Sequence, residues 1–143
     1  MSSEERRAIA LLRRVPYGRI ATSMRALPFV APARHLVVDD RVVLRIHAGL
    51  GHHHACLGSV VAYGADNLGT DHLGTDGEGL WSVQFTGTAE PFHPTPDELE
   101  RFGPAPRHVN GEPFEPVYLR IEPQFVTVHA LDYSTERHLR HAA

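Results

Sequence analysis

The order of apolar and polar residues predicts one helix at the start of the chain and a series of strands after it. Residues 3–14 carry apolar side chains at helical spacing, with Ser2 or Ser3 placed to cap the helix and two glutamates in its first turn. Beyond this helix the pattern changes to the short apolar runs and two-residue alternation that are typical of strands. The predicted strands are 19–24, 28–38, 41–47, 58–65, 80–90 and 116–131.

Two of these strands alternate clearly enough to assign their faces. One face of residues 41–47 carries Val42, Leu44 and Ile46. The opposite face carries Arg45 and His47, so these two basic side chains point the same way. In the strand 80–90, one face carries Trp81, Val83 and Phe85. Each strand therefore has one face that suits a hydrophobic core.

Turn signals and the number of strands indicate the fold class. The Asp39-Asp40 pair predicts a hairpin turn, and Pro123 predicts that the last segment is either two strands or one strand bent at the proline. Five or six short strands with few helices favour a small antiparallel barrel over a sandwich or an alternating α/β fold. We expect a single domain over residues 1–143, with a core of about 8–131 and a tail of 132–143.

Composition and charge exclude several classes of protein. The 143 residues are 42% hydrophobic and 22% charged, which is ordinary for a soluble globular domain. A formal net charge of -3 provides no basic surface for nucleic acid, and no apolar run is long enough to span a membrane. One cysteine allows no internal disulfide. We therefore expect a cytoplasmic protein that binds neither nucleic acid nor membrane.

Three consecutive histidines lie beside the only cysteine in GLGHHHACLG, residues 49–58. They suit a metal site poorly, because neighbouring side chains diverge. An extended chain would bring only His52 and His54 to one face, and a helix would bring together only His52 and Cys56. Candidates for a third ligand are His47, Asp71 and His72. No metal-binding spacing connects them to the histidine run, so the metal signal is weak.

The residues on both sides of the histidine run suggest an anion site. A strand that carries Arg45 and His47 leads into a glycine turn and then into a predicted short helix that ends at Gly58. The first amides of a helix have no intrahelical partners and attract anions, so a phosphate fits this arrangement better than a metal. On these residues alone, a histidine-rich surface turn with Arg45 in a salt bridge is equally compatible.

A glycine-rich segment, residues 67–79, contains the repeated tetrapeptide Leu-Gly-Thr-Asp. The repeat is too short for a solenoid unit, so we interpret the segment as a surface loop. A calcium loop is the alternative, because Asp71, Asp76 and Glu78 are oxygen ligands, but the spacing of an EF-hand is absent.

The order of the segments resembles the pyridoxamine 5'-phosphate oxidase-like FMN-binding split β-barrels, particularly their small nitroimidazole-resistance-like members. The resemblance covers about residues 8–131. The corresponding stretches are LLRRVPYGRIATS (11–23), PFVAPARHLVVDDRVVLRIHAGLGHHHACLG (28–58), VVAYGADNL (60–68) and LWSVQFTGTAEPF (80–92). The resemblance implies a six-stranded antiparallel split β-barrel, mainly β with a few short helices, that forms a homodimer with FMN in the clefts between subunits.

The resemblance also implies roles for particular residues. The phosphate of FMN would lie near Arg45, His47, His52 and His53, with Arg34 as a weaker candidate. The isoalloxazine ring would lie near Ala21, Thr22, Ser23, Pro32 and Ala33. Trp81 and Ser82 would lie near the cofactor or the dimer interface, although an alternating strand favours Trp81 as core. Histidine replaces the usual lysine or arginine at the phosphate helix, which implies weaker FMN binding because histidine is a weaker cation.

The implied activity is that of an FMN-dependent oxidoreductase. Hydride or electrons would pass between a reduced nicotinamide and a small organic acceptor, and the protein would orient the reactants around the cofactor. One alternative is a non-catalytic protein of the same fold that binds or stores a flavin or haem. A histidine-rich metal-binding protein is the other alternative. No residue pattern indicates a nucleophile or a general acid and base, so we assign no catalytic residue.

Overall fold

A closed antiparallel barrel of six strands forms the body of the protein in a computed structural model, which describes residues 1–69 and 79–132. The helices are α1 (Ser3–Leu12), α2 (His52–Cys56) and α3 (Pro96–Phe102). The strands are β1 (Tyr17–Met24), β2 (Leu27–Val38), β3 (Arg41–His47), β4 (Val60–Asp66), β5 (Leu80–Pro91), β6 (His108–Val109), β7 (Glu112–Pro113) and β8 (Pro116–Leu131). Strands pair around the barrel in the order β1-β2-β3-β8-β5-β4, whereas β6 and β7 form a separate hairpin. The mainly β six-stranded antiparallel fold is therefore confirmed.

The local sequence signals explain most of these boundaries. Ser2 caps α1 by accepting a hydrogen bond from the amide of Glu5, and two glutamates lie in the first turn. Asp39 and Asp40 both adopt positive φ in the tight turn between β2 and β3, as the sequence predicts. The repeat loop from Thr70 to Glu78, with its proposed calcium ligands, lies outside the described residues, as does most of the predicted tail.

The last strand is continuous but irregular beside Pro123. Phe125 of β8 lies opposite Thr86 of β5, and the next pair is Pro123 with Gly87. Gln124 therefore has no residue opposite it. This β-bulge lets one strand bend where a proline cannot donate a ladder hydrogen bond. A Cβ at Gly87 would lie 1.8 Å from the carbonyl oxygen of Glu122, so only glycine fits.

The barrel interior holds the main core. The apolar faces predicted for β3 and β5 both point inward, and Trp81, Phe85 and Leu44 are at most 1% exposed. Helix α1 packs against β5 and β8 and adds Ile9, Leu11 and Leu12 to this core. The amphipathic face of α1 therefore covers apolar barrel residues that strands alone would leave exposed.

A second, smaller core lies on the outer side of the barrel. Its buried members are Leu36, Val43 and Phe102, from β2, β3 and α3. Because Val43 alternates with the inward-facing residues of β3, this strand is buried on both faces. Helix α3 therefore serves to cover the outer face of β2 and β3.

A buried polar link joins α1 to two strands of the barrel. The Nε2 atom of His35 lies 2.9 Å from the carbonyl oxygen of Leu12, and Nδ1 is hydrogen-bonded to the hydroxyl of Tyr63. In a neutral ring that donates from Nε2 to the carbonyl oxygen, Nδ1 is the acceptor for the tyrosine hydroxyl. Burial is the main cause that lowers the pKa of His35 below its usual 6.5.

We predict that Gly87→Ala destabilises the protein by about 3 kcal/mol, because the added methyl group meets backbone rather than a movable side chain. Gly64→Ala is the matched control in the neighbouring strand, since its Cβ would meet only the Val83 carbonyl oxygen, at 3.7 Å. Urea unfolding of both variants measures the difference. Equal stability of the two variants would contradict the assignment of the close approach at Gly87.

We also predict that His35 makes stability fall in mild acid. The unfolded chain takes up a proton at His35 near pH 6.5, whereas the folded chain resists it to lower pH, so unfolding becomes more favourable as pH falls below about 6.5. The variant His35→Gln cannot titrate, and its free energy of unfolding should fall less between pH 7 and pH 5 than that of the wild type. Parallel pH profiles for the two proteins would disprove the role of His35.

Candidate functional site

A cleft of about 320 Å³ lies between the barrel and the segment that connects α3 to β8. On the barrel side, its apolar lining residues are Tyr17, Phe29, Ala31, Pro32, Ala33, Ile46 and Leu50. The opposite side is formed by residues 104–114, which we call the second wall; its lining residues are Pro106, Val109, Asn110, Glu112 and Phe114. The volume is at the lower end of the range of about 300–1,000 Å³ for small-molecule sites, and apolar walls with few polar groups are typical of such sites.

The polar groups in the cleft are mostly basic. Arg34, Arg45, His47 and His52 line the barrel side, and Glu112 is the acidic residue among the described lining residues. Six of the residues predicted to bind a cofactor, including the weaker candidate Arg34, therefore lie together, since Pro32 and Ala33 also line the cleft. This combination of apolar walls and a basic end suits a ring system that carries an anionic group.

Arg45 lies on the outer face of β3, where only 4% of the residue is exposed. Its Nη1 atom donates to the carbonyl oxygen of Gly103 at 2.9 Å, and Nη2 lies 3.3 Å from that of Pro104. The guanidinium also lies 5.4 Å from the centre of the Phe102 ring. Arg45 is thus bonded to the chain immediately after α3, in addition to lining the cleft.

Arg34 makes similar bonds from the neighbouring strand. Its guanidinium donates to the carbonyl oxygens of Arg101, Phe102, Pro16 and His35. The carbonyl oxygens of Arg101 and Phe102, at the end of α3, accept no hydrogen bond within the helix. A cation there supplies the missing donors and is attracted by the negative end of the helix dipole. Arg34 therefore has few donors left for a ligand.

His47 is held at the other end of the second wall. Its Nδ1 atom accepts a hydrogen bond from the amide of Glu115 at 3.0 Å, and its ring stacks on Phe114 with centroids 5.3 Å apart. A ring that accepts at Nδ1 carries its hydrogen on Nε2. His47 can therefore offer a neutral N–H donor at the edge of the cleft.

His52 is the first residue of α2 and is only 3% exposed. Its Nε2 atom is buried and has no hydrogen-bond partner among the described residues. Its Nδ1 atom lies 3.9 Å from the sulfur of Cys56, whose pKa burial raises to about 11. A protonated thiol that donates to Nδ1 leaves the histidine hydrogen on Nε2. Burial, and then the neighbouring His53, lower the pKa of His52, so we expect a neutral donor at pH 7.

The remaining predicted site residues do not line the cleft. Thr22 is buried and lies 3.5 Å from the carbonyl oxygen of Ala55, whereas Ser23 is exposed. Trp81 is 1% exposed in the main core, and its Nε1 atom has no partner among the described residues. Ala21, His53 and Ser82 are half-buried at other positions. The barrel therefore brings together the residues of β2 and β3, but not those of β1 and β5.

The second wall was missed by the sequence analysis. Helix α3 has a capping box between Thr95 and Glu98 with a proline at its start, which is a recognisable signal. The hairpin of β6 and β7 turns at Asn110 and Gly111, both at positive φ, and an Asn-Gly pair is a strong hairpin signal. Reading these signals together would have predicted a structured excursion between β5 and β8.

The described part of the chain contains no group of three His, Cys, Asp or Glu side chains that could hold a metal ion. Two of the candidate third ligands, Asp71 and His72, lie outside that part. Among the described residues, no helix has the length and apolar character needed to cross a membrane.

The fold and the cleft agree with a known family. The sequence profile of the pyridoxamine 5'-phosphate oxidase family matches residues 4–130. Since the match covers most of the chain, the protein belongs to this family, as the sequence resemblance indicated.

Individual proteins are similar to this chain in sequence or in structure. The uncharacterized protein Rv0080 of Mycobacterium tuberculosis is 38% identical over 100 residues, a match that covers 66% of this chain and 62% of that protein. The FAD binding protein from Mycobacterium smegmatis superposes with a TM-score of 0.65 at 25% identity, covering 92% of this chain and 98% of the other. A heme binding protein from Mycobacterium smegmatis superposes with a TM-score of 0.63 at 15% identity, covering 94% of this chain and 57% of the other. At that identity, the last match shows a shared fold alone.

Proposed function

We propose that the cleft binds a flavin, with FMN as the preferred form, and that the protein is a flavin-dependent oxidoreductase. The observation that carries this proposal is His52, which lines a cleft with mostly apolar walls and whose buried Nε2 atom has no partner among the described residues. A buried polar atom without a partner costs about 1–3 kcal/mol, and a ligand acceptor would remove that cost. Family membership and similarity to an FAD binding protein support the flavin over other ring ligands.

The two ends of the cleft suit the two ends of the cofactor. The N–H donors of His47 and His52 would hold the phosphate. Phe29 and Pro32 would contact the ring system from the barrel side. Because both histidines would be neutral donors, phosphate binding would depend on hydrogen bonds more than on histidine charge.

A bound flavin supplies transfer of hydride or single electrons. The residues of the cleft would bind and orient the ring, and the second wall would exclude water from it. We propose a reduced nicotinamide as the electron donor and a small organic molecule as the acceptor, as the family resemblance implies.

We further propose that two copies of the chain form a homodimer through the outer side of β1, β2 and β4. Val30 lies opposite Ala21, which lies opposite Ala62, so the three side chains form a row across the strands. Val60 extends this row along β4, and both valines are more than half exposed. Pro32, which lines the cleft, lies on the same side as Val30. A partner that covered this apolar row would therefore also border the cofactor.

Titration with FMN tests the flavin proposal. We expect quenching of flavin fluorescence at micromolar protein and a visible absorption spectrum typical of a bound flavin.

A matched pair of variants identifies the site: His52→Ala should weaken binding, because it removes a buried donor, whereas His54→Ala should not, because His54 is exposed and does not line the cleft. We expect a loss of about tenfold for His52→Ala, from one hydrogen bond to a charged acceptor.

Three outcomes would argue against the proposed function. No binding of FMN, FAD or riboflavin would disprove the proposed function. A Soret band after addition of haem, without flavin binding, would favour the haem-binding alternative. Oxidation of reduced nicotinamide by protein that contains no flavin would contradict the proposed reaction.

Sedimentation equilibrium tests the dimer. We expect the wild type to sediment at twice its monomer mass of 15.9 kDa, and Val30→Asp to shift the equilibrium towards monomer because it places a charge in the apolar row. Leu99→Asp is the control, since Leu99 is 43% exposed on α3, away from that row. A wild-type protein that is monomeric at micromolar concentration would disprove the interface.

A further inference from the structure

We propose that Arg45, together with Arg34, is a positioning residue that holds the second wall of the cleft in place, and that Arg45 therefore affects a bound ligand through this wall. The part of the proposal that concerns the ligand rests on the proposed flavin function. The part that concerns the wall rests on the protein alone.

The start of the second wall is held by the two arginines. Arg45 donates to the carbonyl oxygens of Gly103 and Pro104, and Arg34 donates to those of Arg101 and Phe102. Four consecutive carbonyl groups thus accept from two guanidinium groups on adjacent strands. Arg34 and Arg45 lie directly opposite each other in the pairing of β2 and β3, so their side chains reach the same stretch of chain.

The end of the second wall is held by a separate set of contacts. The amide of Glu115 donates to His47, and the carbonyl oxygen of Glu115 accepts from the amide of Ala48 at 2.8 Å. Phe114 stacks on the His47 ring. Within the wall, the amide of Phe114 donates to the carbonyl oxygen of Arg107, which closes the segment that contains the hairpin. The hairpin is therefore supported from both ends and lies over the cleft.

The burial of Arg45 explains why the arginine takes this role. An arginine that is only 4% exposed must have its guanidinium donors satisfied, because a desolvated cation without partners is strongly unfavourable. Its planar fork can donate to two carbonyl oxygens at once, which a lysine ammonium on a single flexible stem cannot match. Loss of this fork would release Gly103 and Pro104 and lower the fraction of molecules in which the wall is closed.

The expected consequence is a loss of affinity that does not depend on the phosphate. The second wall contributes Pro106, Val109 and Phe114 to the cleft, and these apolar groups would contact a ring rather than an anion. If only a fraction of the protein has the wall closed, the apparent dissociation constant of every ring ligand rises by the same factor. Direct binding of phosphate by Arg45 would instead affect only the phosphorylated ligand.

FMN and riboflavin distinguish the two roles, because they share the ring and differ by the phosphate. We expect Arg45→Ala to raise the dissociation constants of both ligands by the same factor, about tenfold or more, and to leave their ratio unchanged. Arg45→Lys should behave like Arg45→Ala although it keeps the charge. Arg41→Ala is the matched control on β3, since Arg41 is exposed and pairs with Glu122. A loss confined to FMN, or rescue of FMN binding by Arg45→Lys, would overturn the proposal.

Hydrogen–deuterium exchange tests the wall without any flavin. In the ligand-free protein, peptides that span residues 104–115 should exchange faster in Arg45→Ala than in the wild type or in Arg41→Ala. Unchanged exchange would overturn the proposal whatever the flavins do. If the wild type binds neither flavin, the proposed function fails, and the exchange comparison still decides the role of Arg45.

A second variant keeps the test decisive if Arg45→Ala does not fold. Phe114→Ala loosens the other end of the wall by removing the stack on His47. It should also weaken FMN and riboflavin equally and speed exchange over residues 104–115. A loss of FMN binding alone in Phe114→Ala would contradict the wall as a contact for the ring.

Discussion

The burial of β3 on both faces is the constraint on which the cleft depends. Its inward residues belong to the barrel core, and Val43 on the other side belongs to the smaller core beneath α3. An arginine placed on that covered face loses its water and must find carbonyl partners, which the chain after α3 supplies. The packing of α3 buries Arg45, and the hydrogen bonds of its guanidinium group offset the cost of that burial. Together they fix where residues 104–114 lie, and hence the shape of the cleft.

The histidines in the cleft contribute donors rather than charge. His47 accepts from the amide of Glu115, and burial lowers the pKa of His52, so we expect each ring to offer one N–H donor. The sequence resemblance implied a helix start with a weaker cation than lysine or arginine, and therefore weaker FMN binding. Hydrogen-bond donors held in fixed positions can bind an anion without a lysine or arginine at the helix start. The proposed phosphate site relies on these two donors.

Local features of the fold could be predicted from the sequence, whereas features that depend on contacts between distant segments could not. Alternation in β3 and β5 identified Leu44, Trp81 and Phe85 as core, because a period of two is set by the strand itself. It also placed Arg45 and His47 on one side. It could not show what covers that side, because α3 buries only Phe102 and has no amphipathic period to read. The strands β6 and β7 have two residues each, too few to alternate. The pairing of distant strands determines which predicted residues meet in one cleft, and the alternation within a single strand does not show that pairing.

The two walls of the cleft differ in how freely their sequences can change. On the barrel side, residues such as Ala33 and Ile46 are also core, so substitutions there cost stability. The hairpin residues Asn110 and Glu112 are exposed and belong to neither core, so they can vary without unfolding the barrel. Selection for a new ligand can act on the hairpin while the scaffold stays constant.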